Sequence, residues 1–452
     1  MGADENLADR PRKMSLMKKM VIAVSAGFAI AFGFMFFKIA VGSDSQIWKT
    51  IYALLFANIE SAEDVGGIGI FYIVGQLFMH GLQIGIVPLV FISLALAILN
   101  VEDIARLGRI ARRTALCFLG FYAVSVTIAG LIGFTAKTLG LFDVELPATA
   151  AAAVETVESY NPLTIVLEII PANMLTAFAD NGAVLSIIFI AIVVGLCMHR
   201  MPEETMPFRK LLEAANKIVL MYFNFMIDKV SPVAILFMIS RAFAIYGTDY
   251  LLSAASWLAI LIVAAPILLF TIYPIGILLT TGLNPLPFIR KMGKVAILGA
   301  ATQSSAAVLP QNMTTCVDEL GCSREYSSFI LPTGMTMHMN GTTLMQIVSI
   351  VFIATAAGID IQPYQIALAA LLSMVMAVAT PAVPMAGVTL ISVLMVSLGF
   401  TTDACYLAFA LVMAINYPAG MAVMVMNVVG DTAVDVIVCK KEGVLDEERY
   451  NN

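Results

Sequence analysis

Asp431 closes the pentapeptide Asn427-Val428-Val429-Gly430-Asp431 inside the apolar run Ala404–Val438. A carboxylate at membrane depth is costly unless a cation pairs with it. An interrupted helix beside it would free carbonyl oxygens, the ligand type that hard cations favour. The chemistry on offer is reversible binding of a small cation. The plainer alternative is a carboxylate at a membrane edge, near Lys440 and Lys441.

Four apolar segments toward the C-terminus are interrupted by polar or helix-breaking residues. Val295–Pro310 is broken by Thr302-Gln303-Ser304-Ser305 and is too short to cross a bilayer and return. Phe329–Gly358 is long enough to cross, but Thr336-Met337-His338-Met339-Asn340-Gly341-Thr342-Thr343 interrupts it. In Ile366–Leu398 the apolar arms meet at Ala379-Thr380-Pro381-Ala382-Val383-Pro384, and Ala404–Val438 is expected to break at Asn416-Tyr417-Pro418-Ala419-Gly420 and again at Asn427–Asp431. The order is re-entrant hairpin, broken helix, re-entrant hairpin, broken helix. Non-helical backbone is tolerated at membrane depth where it lines a site or is packed in protein, and paired interruptions in repeated segments point to a transporter's binding site. Simple kinking at Gly, Pro, Ser and Thr is the alternative.

The elements that position these breaks are membrane helices. Of the 452 residues, 60% are hydrophobic and 12% charged, about half the charge of a typical soluble domain. Crossings are expected at 17–41, 67–100, 104–140, 163–198, 210–245 and 250–282, each near the roughly 20 residues a bilayer needs. Arg10, Arg12, Lys13, Lys18 and Lys19 then share one side with Arg106, Arg109, Arg112 and Arg113, with Arg200, Arg209 and Lys210, and with Arg290, Lys291 and Lys294. The opposite loops hold Asp44, Glu60, Glu63, Asp64, Asp143, Glu145, Glu155 and Glu158, with Lys49 almost alone among them. Basic loops stay in the cytoplasm, which places both termini inside an inner, or plasma, membrane. Each basic cluster is short and abuts an apolar span, a poor footprint for nucleic acid. Met1–Lys13 lacks the small-residue cleavage site of a signal peptide.

The six cysteines, Cys117, Cys197, Cys316, Cys322, Cys405 and Cys439, show no CxxC, which argues against a disulfide framework or a zinc site. None of His80, His199 and His338 stands in HExxH, and GxSxG, GxGxxG and a phosphate loop are absent. No enzyme and no organic cofactor are expected. His338 is either a proton-carrying group or a hydrogen-bonded part of the structure. Asp228 and Lys229 point about 100° apart on a helix, so each is expected to have its own partner; with Arg241 they read as structural contacts.

These segments resemble the dicarboxylate/amino acid:cation symporter family over nearly the whole chain. Gly85-Ile86-Val87-Pro88-Leu89-Val90-Phe91 is similar to the family's second helix, and Pro171–Val194, with its Asn181-Gly182 turn, to its fourth. Thr302–Pro310 resembles the serine-rich tip of the first hairpin. His338-Met339-Asn340-Gly341-Thr342 stands where the family has Asn-Met-Asp-Gly-Thr. Val383-Pro384-Met385-Ala386-Gly387 resembles the second tip, normally Val-Pro-Gly-Ala-Gly, and Asn427–Asp431 the cation motif of the eighth helix. The resemblance implies an all-α membrane protein with eight transmembrane helices, two re-entrant hairpins and inverted repeats. A cytoplasmic tail at 1–16 precedes six helices at 17–282, hairpin 1 and helix 7 at 286–358, hairpin 2 and helix 8 at 362–441, and a tail at 442–452. It further implies a homotrimer. In each subunit helices one, two, four and five form a fixed scaffold, and helices three, six, seven and eight with both hairpins form a transport domain that slides across the bilayer.

Residue by residue, the resemblance implies one sodium site from the Asp431 carboxylate and the carbonyls of Gly334, His338 and Asn427. A second comes from backbone oxygens of Thr336, Ala377, Val378 and Thr380, under the gate formed by hairpin 2. A third site of the family looks lost, because its helix-three positions read Phe118, Phe121 and Tyr122 and its aspartate is Asn340. The substrate site departs further. The amino-group aspartate and side-chain arginine of amino-acid carriers are Gly420 and Val423, and the hairpin-1 arginine of archaeal members is Gln303. Ser304, Ser305, Thr342, Val383, Gly387 and the Asn427 amide remain, with hairpin N–H groups that suit one carboxylate. Met424, with Met421, Met426 and Met385, reads as an apolar wall or as packing.

Three functions follow from these readings. The first is a sodium-coupled symporter of a small organic carboxylate or amino-acid-like solute. The others are a proton-coupled C4-dicarboxylate carrier of the same fold, and an anion channel or sensor. With no charge at Gly420 or Val423, aspartate and glutamate would bury unpaired charges. We expect calorimetry in sodium to show weak binding of both; tight binding of aspartate would mean that the helix-eight positions are misassigned.

Overall fold

The computed structural model describes residues 14, 16–59, 64, 66–144, 167, 169–181, 183–246, 249–379 and 386–452. The secondary structure of the described residues is helical, joined by turns and short irregular segments, with no strand among them. Among the described residues, seven helices are long and apolar enough to cross a membrane: Val21–Val41, Ile70–Leu96, Arg109–Thr138, Met206–Ile245, Leu252–Thr281, Arg324–Ala356 and Asp403–Lys441. The crossing expected at 163–198 is described as α6 (Met174–Ala179) and α7 (Val184–Arg200). The expected positions Glu60, Glu63, Glu145, Glu155, Glu158, Gly182, Thr380, Val383 and Met385 lie outside the described residues.

The chain divides into two compact units, Met1–Phe78 with Phe225–Ile245, and Met79–Asn224 with Tyr246–Asn452. The first contains α1 (Leu16–Val41), α2 (Gln46–Ile51) running into a π-helical turn at Tyr52–Phe56, most of α3 (Ile70–Ile84), and the π-turn Met226–Val230 that joins α8 (Met206–Phe225) to α9 (Ser231–Tyr246). Its core is aromatic. Phe56 meets Phe34 and Phe71 edge-to-face at ring distances of 5.1 and 5.2 Å, the arrangement the ring quadrupole favours. Arg241 is buried, donates from Nε to the Phe56 carbonyl at 2.8 Å and lies 4.9 Å from the Tyr72 ring. Asp228 pairs with Lys19 at 2.5 Å, and its other oxygen lies 3.5 Å from Lys229. The separate partner expected for Lys229 is therefore corrected: the two neighbours share Asp228, because both oxygens of the carboxylate accept.

The second unit holds α4 (Ile86–Leu107), α5 (Arg109–Thr138), α6, α7, α10 (Asp249–Thr281) and the interrupted segments. After α11 (Leu286–Lys291), α12 (Gly293–Thr302) and α13 (Ser305–Thr314) form the first hairpin, extended by a π-turn at Thr315–Glu319. Ten residues of helix rise about 15 Å, half of a hydrocarbon core, so each arm reaches only partway. α14 (Arg324–Met337) and α15 (Asn340–Ala356) are the broken helix, with His338 and Met339 out of helical geometry. α16 (Pro363–Ala379), α17 (Ala386–Thr389) and α18 (Ile391–Ser397) form the arms of the second hairpin.

The final long helix differs from expectation. α19 runs unbroken from Asp403 to Lys441, with Pro418 inside it, so neither Asn416–Gly420 nor Asn427–Asp431 interrupts it. Proline removes one backbone donor, and the surrounding helices hold the rest of the ladder in place. α19 packs on α10, α12, α14 and α15. Its apolar stretch is 83% buried and that of α14–α15 is 100% buried, so these elements are the core; α5, 28% buried, meets it along one face through Phe118, Phe121 and Tyr122.

The C-terminal helix α20 (Glu447–Asn451) is pinned to this core. Lys291 Nζ donates to the carbonyls of Glu319, Arg449 and Tyr450 at 2.9, 2.7 and 2.8 Å. Tyr450 is fully buried and its hydroxyl donates to the Asn284 carbonyl at 2.9 Å. Burial pushes that hydroxyl up to about 12, so it stays a neutral donor across the physiological range. Tyr450→Ala should cost about 3 kcal/mol and lower the thermal midpoint of the detergent-solubilised protein. An unchanged midpoint would show that the tail does not contribute to the folded state.

Candidate substrate and cation site

The break between α14 and α15 leaves the first N–H groups of α15 without partners in their own helix. Asn427 of α19 supplies them. Its Oδ1 accepts from the N–H of Gly341 at 2.8 Å and of Thr342 at 3.4 Å, and its Nδ2 donates to the Thr342 hydroxyl at 3.0 Å. Only glycine permits this approach, because a Cβ at Gly341 would lie 2.2 Å from the Val423 carbonyl oxygen. Thr342 in turn meets the second hairpin. A Cβ at Gly387 would lie 2.6 Å from Thr342 Cγ2, and Gln346 donates to the Gly387 carbonyl at 3.0 Å.

The first hairpin arrives from the other side. Gln303 takes the left-handed conformation at φ 48°, ending α12, and Ser304 caps α13 by accepting from the Ala307 N–H at 3.4 Å. Ser305 Oγ contacts Met424 Sδ at 3.3 Å. Gln303 donates to the Tyr417 carbonyl at 3.1 Å, and its Oε1 lies 2.6 Å from where a Cβ on Gly420 would be. Gly420, Val423, Met424 and Asn427 fall at helical spacing along one side of α19. The structure thus gathers Ser304, Ser305, Thr342, Gly387, Gly420, Val423, Met424 and Asn427. Two details differ from expectation. The Asn427 amide is engaged in capping α15, and the space that a larger side chain at 420 would take belongs to Gln303.

Asp431 lies one turn beyond Asn427, 2% exposed. Gly334 makes room for it, since a Cβ there would lie 2.5 Å from Asp431 Oδ1. His338 is engaged through its side chain as well as its backbone, in keeping with the hydrogen-bonded alternative expected for it. The His338 ring turns inward, with Nδ1 3.1 Å from Asp431 Oδ1 and Nε2 3.0 Å from Asn340 Nδ2. With the Asn340 amide donating to Nε2, the proton sits on Nδ1 and is donated to the carboxylate. Asn340 also donates to the Tyr273 hydroxyl at 3.2 Å, which donates to the Met426 carbonyl at 3.0 Å. Phe118 stacks on the imidazole at 4.5 Å between centroids, with Tyr122 and Phe121 at 5.6 and 6.0 Å. The Tyr122 hydroxyl accepts from the Met339 N–H at 2.6 Å and donates to the Met337 carbonyl at 3.1 Å, satisfying the break itself.

Among the implied cation ligands, the Gly334 carbonyl accepts from the His338 N–H at 2.8 Å, and a carbonyl has a second lone pair to offer. Asn427 stands in unbroken helix, so its carbonyl is not freed by a break. Thr336 is exposed at the end of α14, and Ala377 is buried against Tyr122 and Met339, which brings the second hairpin to the same break. Val378 follows it on α16 and is half-buried. Sequence reasoning missed Tyr273 and the space-filling role of Gln303. The available signal for Tyr273 was a hydroxyl in the apolar run Ser253–Leu279, where a buried phenol needs a partner.

Residues 16–441 match the model of the Sodium:dicarboxylate symporter family. The chain is 26% identical over 390 residues to a proton/sodium-glutamate symport protein of Bacillus caldotenax, covering 83% of this chain and 89% of the relative. It is 27% identical over 394 residues to a proton/glutamate-aspartate symporter of Escherichia coli (strain K12), covering 83% and 86%. A C4-dicarboxylate transport protein of Rhodospirillum rubrum is 22% identical over 383 residues, covering 83% of each chain.

Gly420→Asp should by itself lower uptake of the native substrate, because the new carboxylate collides with Gln303. Adding Gln303→Ala should restore room and recover uptake in reconstituted vesicles at least in part. Equal activity of Gly420→Asp and wild type would show that Gln303 does not occupy this space during transport.

Proposed function

Because the chain belongs to the sodium:dicarboxylate symporter family, we propose that it is a sodium-coupled secondary active symporter of a small organic carboxylate or amino-acid-like solute. It is a multi-pass membrane protein, and on this reading both termini face the cytoplasm of a cell bounded by its plasma membrane. The working unit is a homotrimer. The scaffold is built from the first, second, fourth and fifth crossings, and the hairpins travel with α5, α10, α14–α15 and α19 as an elevator.

One observation carries the reading. Asp431 is buried with no Lys or Arg paired to it among the described residues, and Gly334 gives its carboxylate the room it occupies. A buried carboxylate in that position is stabilised by an incoming cation. On this reading the substrate carboxylate binds at Ser305 and the N–H groups around the first hairpin tip, beside Thr342 and Gly387, with Met424 as the apolar wall; Val383, also expected there, lies outside the described residues. Phe118, Phe121 and Asn340 crowd the region where a third cation would sit, which supports coupling to fewer ions.

A second reading, proton-coupled carriage of a C4-dicarboxylate, is favoured by the His338–Asp431 contact, which gives the carboxylate a protein donor in place of a metal ion. The names of the Escherichia coli and Rhodospirillum rubrum relatives support it as well.

Proteoliposomes loaded to carry either a sodium gradient or a pH gradient separate the two. Sodium-driven uptake, lost in Asp431→Asn and retained in His338→Gln, is the expected result. Sodium should also raise the thermal midpoint of wild type and not of Asp431→Asn, since a ligand that binds the native state stabilises it. Uptake driven by the pH gradient alone and lost in His338→Gln would replace the first reading with the second.

A further inference from the structure

We propose that Cys322, Asp435 and Cys439, with Cys316 beside them, form a binding site for a thiophilic divalent cation of the zinc class. The ligand atoms of Cys322, Asp435 and Cys439 lie within 4.8 Å of one another, and all three residues are buried. Cys439 Sγ is 3.5 Å from Asp435 Oδ1. A tetrahedral zinc ion with metal–sulfur and metal–oxygen bonds of about 2.3 and 2.0 Å sets its sulfur and oxygen ligands about 3.5 Å apart. Cys316 is fully buried beside them, its Sγ 3.9 Å from Asn312 Oδ1, and lies outside the three-residue ligand set.

The local folding that assembles this cluster is specific. Asp435 and Cys439 are four residues apart on α19 and share a face. Cys316 belongs to the π-turn after α13, and the chain then doubles back so that the Cys322 N–H donates to the Cys316 carbonyl at 2.9 Å. Gly321, at φ 73°, makes that reversal, and a Cβ there would lie 2.5 Å from the Asp446 carbonyl oxygen.

The carboxylate distinguishes the cluster from thiols that merely pack. Free cysteines are common in cores as small apolar groups, but Asp435 is fully buried and has no Lys, Arg or His paired to it among the described residues. Ser327 Oγ donates to Asp435 Oδ2 at 2.6 Å and leaves Oδ1 turned toward Cys439. A hydroxyl that holds the far oxygen of a ligating carboxylate is the usual outer-shell arrangement of a metal centre. Each thiol that ligates gives its proton to solvent, and the divalent charge then offsets thiolates and carboxylate together. Such an ion would tie the end of the first hairpin to α19 one turn beyond Asp431.

The test uses the full chain, purified in detergent under a thiol-free reductant, stripped with a chelator and titrated with Co2+ as the spectroscopic probe. The expected result is a thiolate-to-cobalt charge-transfer band saturating at one ion per chain and abolished by added Zn2+. Cys322→Ser and Cys439→Ser should each remove the band. Ser327→Ala should keep it but weaken affinity about 10-fold, and Cys197→Ser, whose thiol is exposed, should change nothing. Absence of the band in the wild type overturns the proposal, whatever the variants do. So does a band that survives the Cys322→Ser/Cys439→Ser double change. Alkylation and mass measurement showing two of these cysteines joined as a disulfide in the purified chain would also overturn it.

Discussion

The arrangement of this protein depends on one capping interaction, in which the amide of Asn427 accepts the N–H groups that begin α15. A helix started in the middle of a membrane exposes donors that water cannot reach, and leaving them unpaired costs far more than pairing them gains. Satisfying them from α19 forces the two helices into backbone contact, which only Gly341 allows. Once that contact exists, Thr342 is set in place to meet Gly387 and the second hairpin. Met424 and Gly420 are likewise presented to the first hairpin at Ser305 and Gln303.

The same principle governs the residues around Asp431. His338 and Met339 leave helical geometry, and the Tyr122 hydroxyl bridges the two sides of the gap. The imidazole at the break is then stacked against Phe118 and hydrogen-bonded at both nitrogens, to Asp431 and to Asn340. Polar groups in this interior form a chain, Asp431 to His338 to Asn340 to Tyr273 to the Met426 carbonyl, and each link fixes the next. Removal of one member leaves another buried and unsatisfied, which makes the network a structural unit as well as a candidate cation site.

Legibility in the sequence followed the range of the interaction. Long apolar runs, basic flanks and the polar interruptions at 302–305 and 336–343 are local signals; helix breaks fall within both interruptions, narrowed to His338 and Met339 in the second, while the crossing expected at 163–198 is described as two shorter helices. The expected breaks in Ala404–Val438 are absent because α19 is enclosed by neighbouring elements, chiefly α10, α12, α14 and α15, and such packing carries a helix through Pro418 and Gly430. Gly430 serves close packing instead: a Cβ there would meet the Tyr273 hydroxyl at 2.6 Å. The cysteine cluster is likewise invisible to local spacing. Cys322 and Cys439 are 117 positions apart, far outside any local motif, and only the fold sets them beside Asp435.

By itself the sequence determined the class of molecule, the interrupted design and the identity of Asp431 as a carboxylate in need of a partner. Those properties belong to single residues and short windows, where hydropathy and helix-breaking chemistry act. Only the tertiary structure decided what each polar group touches. It turned the His338 ring onto Asp431, committed the Asn427 amide to a helix cap, filled the space over Gly420 with Gln303, and gathered the cysteines around Asp435. The physical reason is that a buried donor or acceptor takes the partner that packing brings within about 3 Å, and residues distant in sequence supply most of those partners here.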